Sequence, residues 1–190
     1  MATFTSSTFL AGAGRFDKQG EVSWTAARDA TSSDANAATY EVESELDTTY
    51  RVQRVMLPID TSTIPVNATV TAVALNFNAQ YEGGYSSTVV HLVKSTQATT
   101  GSRDDADFNN VEFVDGGSAA IDGATSQAET ITGNATSFGW IVPGGTTKLA
   151  LITAADLTNT EPGTDHWCTI TSPELVVTYT VPSGSYAYFM

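Results

Sequence analysis

The sequence predicts an all-β fold: an antiparallel, jelly-roll-like β-sandwich in a single domain with extended termini. Three observations predict it. Thirty threonines stand against three lysines in 190 residues, and side chains branched at Cβ suit a pleated, half-buried surface. Short runs of alternating apolar and polar residues are separated by clusters of Gly, Pro, Asn, Asp and Ser. No segment sustains the i, i+3, i+4, i+7 apolar spacing of an amphipathic helix. Residues 119–128 come nearest, and Gly123 and Ser126 weaken them.

Ten runs read as strands: 3–10, 22–26 around Trp24, 39–44, 50–59, 70–77, 88–94, 138–142, 148–153, 165–170 and 174–181. In the third, Tyr40 and Val42 alternate with Glu41 and Glu43, which gives one wet face. The fourth changes polarity midway, which predicts a bulge or a change of environment, with Pro58 at an edge or strand end. Asp60 and Ser62 then support a turn by bonding nearby backbone N–H groups. Tyr81 and Tyr85 flank Glu82, Gly83 and Gly84 in a hairpin-like turn. Residues 29–37 read as a loop, 96–107 as polar and acidic, and 109–134 show little pattern. The chain divides into an N-terminal arm or edge strand (1–13), the sandwich (14–181) and an aromatic tail (182–190).

Composition excludes several classes. The chain carries 21 acids against 8 Lys and Arg, a formal charge of −13. That argues against binding nucleic acid, which needs a basic stripe to displace counterions, and against an anionic membrane surface. No apolar run is long enough for a membrane-spanning helix, and the first residues do not read as a secretory signal. One cysteine, Cys168, permits no internal disulfide and no cysteine-based zinc site.

Three segments taken together resemble a known family. They are Arg54, Leu57, Pro58, Ile59, Asp60, Ser62 and Pro65 with the alternating run 68–75; Lys148 and Leu149 leading into Asp156, Asn159, Pro162 and Gly163; and Pro173, Glu174, Leu175 and Tyr179 in the closing strand. Over residues 24–180 this order resembles the jelly-roll modules of capsid-decoration and head- or tail-fibre proteins of tailed bacteriophages. It is similar also to the carbohydrate-binding-type sandwiches of bacterial surface proteins. The resemblance implies a virion structural protein that bridges and stabilises capsid subunits. The implied partners are a major capsid protein or other virion subunits, the implied assembly is a homotrimer, and the implied location is the virion surface after assembly in a host cytoplasm. The matching residues have structural uses, so no catalytic residue is carried over.

The residues themselves offer little catalytic chemistry. His91 lies mid-strand, and His166 and Cys168 stand near one another, but Trp167 and Cys168 point to opposite faces of a strand. Cys168 therefore reads as a buried structural residue. Asp104, Asp105 and Asp107 supply oxygens of the kind Ca²⁺ takes, yet without EF-hand spacing they read as a solvated loop. No enzyme activity, metal or cofactor is expected. Both ends are greasy: Phe4, Phe9 and Leu10 in the arm, and Tyr186, Tyr188, Phe189 and Met190 in the tail. Exposing such groups is disfavoured by about 1.5–3 kcal/mol each, so these residues are expected to bury against neighbouring chains. The alternative is a carbohydrate-binding module on a virion or cell surface, with Trp24, Tyr81, Tyr85, Trp140 and Trp167 as stacking rings.

Overall fold

The computed structural model describes residues 1–81 and 85–182. Along the chain run β1 (Ala2–Ser6), β2 (Gly14–Glu21), α1 (Trp24–Arg28), β3 (Ala35–Ala37), β4 (Glu41–Leu46), β5 (Tyr50–Asp60), β6 (Thr69–Tyr81) and β7 (Thr88–Ser95). A 3-10 turn (Asp105–Asp107) precedes β8 (Val111–Glu112), β9 (Ser118–Ile121), β10 (Gln127–Thr132), α2 (Ala135–Phe138), β11 (Thr146–Thr153), α3 (Ala154–Thr158) and β12 (His166–Thr180). The described pairings are all antiparallel, in the order β10-β6-β12-β4-β5-β11-β7-β8. β1 adds to β12, β2 to β5, β3 to β2 and β9 to β7. The fold is an all-β sandwich in one domain.

The main core lies between β6 and β12 on one side and β5, β11 and β7 on the other. Val73, Leu75, Phe77, Ile170, Leu175 and Val177 face Val55, Leu57, Ile59, Leu149, Leu151, Val90 and Leu92. A second, smaller core covers the other face of β5, β11 and β7. There Val52, Met56, Ala150, Ile152 and Val93 pack against Phe16, Trp24 and Phe108. The polarity change along β5 is thus explained without a bulge in its pairing with β4 and β11. The strand is buried on both faces because it serves two cores. Pro58 pairs with Lys148 of β11 and stands beyond the last β2 partner, Gly14 opposite Met56. Its missing N–H interrupts no ladder with β2.

Several expectations are corrected. Residues 22–26 are not a strand: the Ser23 hydroxyl accepts from the Ala26 N–H at 3.2 Å and starts α1. Residues 138–142 are not one either, because Asn134 caps α2 through the N–H groups of Thr136 and Ser137. The two closing runs are one strand, β12, with a register shift between Thr171 and Glu174 and Ser172 at φ +52. Tyr81 and Tyr85 do not close a hairpin. β6 pairs with β12 and β10, β7 pairs with β11, β8 and β9, and Glu82, Gly83 and Gly84 lie outside the described residues. The loop 29–37 ends in β3, the first strand stops at Ser6, and the weakly patterned 109–134 contains β8, β9 and β10. The acidic loop is not simply solvated. Asp107 is 1% exposed, and its carboxylate accepts from the Ala98 and Thr99 N–H groups and the Asn110 amide.

The second core is pinned by Arg54. Its side chain is fully buried and donates five hydrogen bonds: to both Asp156 carboxylate oxygens (2.7 and 2.8 Å), to the Phe108 and Arg28 carbonyls (3.0 and 2.6 Å) and to Asn109 Oδ1 (3.1 Å). The guanidinium carbon stands 4.3 Å from the centre of the Phe108 ring. One side chain therefore ties α1, the 3-10 turn and α3 to β5. Arg28 adds a bond from Nε to the Asp156 carbonyl at 2.8 Å and lies over Phe113 at 3.8 Å. Asp156→Ala strands a buried cation and is expected to cost about 3–5 kcal/mol. Replacing Arg54 by Met and Asp156 by Leu together should cost much less than the two single changes summed. Urea unfolding midpoints check both, and a loss under about 1 kcal/mol for Asp156→Ala would deny Arg54 this role.

Candidate functional site

The second core seals one outer sheet face, and the opposite outer face, on β4, β12, β6 and β10, carries polar side chains. The alternation of β6 builds it: Leu75, Phe77 and Ala79 turn inward, while Asn76, Asn78 and Gln80 turn outward. Cross-strand register sets their neighbours. Asn76 lies between Glu174 and Thr130, Asn78 between Thr171 and Ala128, and Gln80 opposite Thr169. Thr130 Oγ1 donates to Asn76 Oδ1 at 2.9 Å. The bulge at Ser172 bends β12 here, and a groove of about 310 Å³ opens between Asn76, Asn78, Thr130, Ser172 and Glu174.

Trp167 stands on the same face, two residues before Thr169. It is half-buried, and its ring meets that of Tyr85 edge-on, with centroids 5.2 Å apart. Tyr85 donates its hydroxyl to Glu45 Oε1 at 3.2 Å. Burial first, then the Glu45 and Glu43 carboxylates, push the Tyr85 phenol above its usual range, so it stays a donor. Beyond Trp167 the register continues across β4, β5 and β2 through Glu43, Gln53 and Asp17. Arg51 grips Asp17 with two hydrogen bonds, 3.0 and 2.6 Å long. A second cleft of about 350 Å³ lies here, lined by Gln19, Glu45, Asp47, Thr49 and Arg51.

Glu43 is the anomaly of this region. It is fully buried and neither carboxylate oxygen has a hydrogen-bond partner, nor has Gln53 Oε1. Arg51 Nε lies 3.3 Å from Glu43 Oε2 but its hydrogen bond goes to Asp17. Burial outweighs the Arg51 charge and pushes the carboxyl up to about 8.

The candidate rings separate. Trp24 (5% exposed) belongs to the second core and Trp140 (8%) to the main one, so neither can stack on a ligand over this face. Tyr81 is half-buried and pairs with Cys168, on the opposite side of β12 from Trp167. Trp167 and Tyr85 come together. Of the residues expected to meet other chains, Phe4 and Phe9 pack against the main core, with Phe9 6.1 Å from Tyr40, and Leu10 is half-buried with its N–H on the Pro58 carbonyl. Tyr186, Tyr188, Phe189 and Met190 lie outside the described residues. His91 Nδ1 is 3.0 Å from Asp115, and His166 Nδ1 is 2.9 Å from the Ser87 carbonyl. Cys168 is buried in the main core. Sequence reasoning put Glu43 on a wet face, where the structure instead buries it completely, and gave no site role to Glu45, Arg51, Asn76, Asn78 or Glu174. The alternation of β4 and β6 carried the signal for Glu45, Asn76 and Asn78, while Arg51 in β5 and Glu174 in β12 are placed by cross-strand register.

No family model matches the chain, and no curated protein sequence does. Among solved structures, the K1 cleaved adhesin domain of Lys-gingipain from Porphyromonas gingivalis W83 is similar over 94% of this chain and 98% of its own, with 12% identity and a TM-score of 0.37. That likeness is too loose to carry a function across.

The Glu43 carboxyl generates a prediction with a definite sign. Its folded-state pKa, about 8, lies above the ordinary 4.5, so the folded protein holds a proton that the unfolded chain releases. Its contribution is complete below pH 4.5 and fades as the pH rises towards 8. Glu43→Gln keeps a neutral side chain and removes that dependence. The variant should gain on the parent protein through this window, reaching about 4–5 kcal/mol at its alkaline end. Unfolding midpoints measured across the range check it, and parallel pH profiles would refute a neutral buried Glu43.

Proposed function

We propose that this chain is a non-enzymatic attachment module that binds carbohydrate on the outer face of β4, β12, β6 and β10. The observation that carries the reading is the placement of Trp167 and Tyr85, half-buried and 5.2 Å apart, at the end of a face of amides and hydroxyls. An aromatic ring offers an apolar surface to the C–H face of a sugar. Fixed amide and hydroxyl groups supply the few directed hydrogen bonds that orient a ligand in a cleft. Asn76, Asn78, Thr169 and Thr171 both donate and accept, as sugar hydroxyls do. The rigid sheet holds these groups without loop ordering, which limits the entropy lost on binding.

The resemblance to phage decoration and fibre modules supports a second reading, a virion subunit that bridges its neighbours. The feature favouring it is the end where β1 starts beside the end of β12: Ala2 pairs with Tyr179, and Met1 and Val181 are 93% and 45% exposed. Such a subunit would bind by apolar area at that end, and light scattering would show a stable oligomer. The two readings use different surfaces.

Trp167→Ala should lower glycan affinity roughly ten-fold or more, the loss of one stacking contact and its burial. Trp24→Phe, in the second core, should leave affinity unchanged in folded protein. A glycan array followed by calorimetry on the hits measures both. A blank array with correctly folded protein would remove the carbohydrate reading.

A further inference from the structure

Resting on the carbohydrate reading, we infer that the ligand is an extended, uncharged glycan chain lying along β12, from Trp167 to the groove at the Ser172 bulge. The face has two receiving places. One is the Trp167 and Tyr85 pair, and the other is the groove of Asn76, Asn78, Thr130, Ser172 and Glu174. They belong to one surface, because Trp167, Thr169, Thr171 and Glu174 share the outward side of β12. From Trp167 to Glu174 is seven positions with one residue taken up by the bulge, roughly 20 Å at the usual rise of a strand. A single sugar ring cannot reach both, and a chain of several can.

The space between the two places is open and polar. Thr169 and Gln80 face each other there, both half-exposed, and Thr171 beside Asn78 is exposed. Among the described residues, no large apolar side chain interrupts the path. Ser172 shapes its far end. A serine at φ +52 is held in a left-handed conformation that costs free energy. The bulge it makes, with Pro173 buried behind it, turns β12 and opens the groove.

Charge decides the class of chain. The cations bordering this face are already held: Arg15 is ion-paired with Glu41, and Arg51 with Asp17. Glu174 lines the groove, and Glu45 and Asp47 line the cleft beyond Trp167. A polyuronate or sulfated chain would meet these carboxylates with no free partner for its own charge, and the whole protein repels it at −13. A neutral chain meets only groups that donate to or accept from hydroxyls.

The test is a length series of neutral oligosaccharides from the glycan class found on the array, titrated by calorimetry, with a polyuronate of equal length beside it. Affinity should rise at least ten-fold from the disaccharide to the hexasaccharide and then level, and the polyuronate should not bind. Two variants locate the chain. Trp167→Phe and Asn78→Ala, each roughly three- to ten-fold weaker for the hexasaccharide, should differ for the disaccharide, which spans only one place and feels only one of the changes. Equal affinity for disaccharide and hexasaccharide would overturn the extended chain while leaving carbohydrate binding intact, and equal binding of the polyuronate would overturn the charge assignment. Binding of no neutral oligosaccharide of any length would instead remove the carbohydrate reading on which the inference rests.

Discussion

The fold depends on one buried cation. Arg54 sits in the middle of β5, has no contact with solvent and uses its five N–H groups on Asp156, Arg28, Phe108 and Asn109. A buried guanidinium is tolerated only with every donor met and a carboxylate alongside. Its partners come from three separate segments with few ladder bonds of their own, so the second core closes only when all three converge. Asp156 is presented by α3, whose N-cap Thr153 ends β11 and also meets Ser44 of β4. The bidentate pair thus couples short helices to the central strands, where distance along the chain would otherwise leave them loose.

That closure has a functional consequence. A two-layered β domain has two outer faces, and here one is covered by α1, the 3-10 turn and α3. The other, on β4, β12, β6 and β10, is left with its amides, hydroxyls and one half-buried tryptophan. Its features follow from strand periodicity: a side chain pair that faces inward at Leu75 and Leu175 puts Asn76 and Glu174 outward beside each other. The Ser172 bulge breaks the regular pleat at one place and makes a groove there. At the opposite end the row of Asp17, Gln53, Glu43 and Trp167 carries polar groups inward beneath Arg51, and there the loss of water outweighs the Arg51 charge, so the buried Glu43 carboxyl keeps its proton.

Much of the fold was legible in the sequence. The alternation of residues 70–77 and 174–181 marked the two long strands, and the Asp60 turn forms as its side chain required, with Asp60 Oδ1 accepting from the Ser62 N–H at 2.9 Å. Short helices were not legible. α1 has five residues and α2 four, too short for helical periodicity to show, and their capping residues Ser23 and Asn134 also suit turns. The hairpin at Tyr81 failed because β6 and β7, close in sequence, pair with different neighbours, with β12, β4, β5 and β11 standing between them in the strand order, a choice made by the core and not by the turn. The site was half legible. Trp167 and Tyr85 stood out as aromatic residues, but so did Trp24 and Trp140, and only packing separates a core indole from a presented one. Arg54 looked like one polar residue on a strand, because nothing in the local sequence announces a partner as distant as Asp156.

The central claim, that the uncovered face of β4, β12, β6 and β10 is the binding surface, is tested most directly by nuclear magnetic resonance. Titrating a neutral oligosaccharide into isotope-labelled protein should shift the Trp167 indole N–H and the side-chain amides of Asn76 and Asn78, with the Trp24 and Trp140 indoles unmoved. Shifts confined to the second core, to the β1 end or to the surface around Trp140 would contradict it.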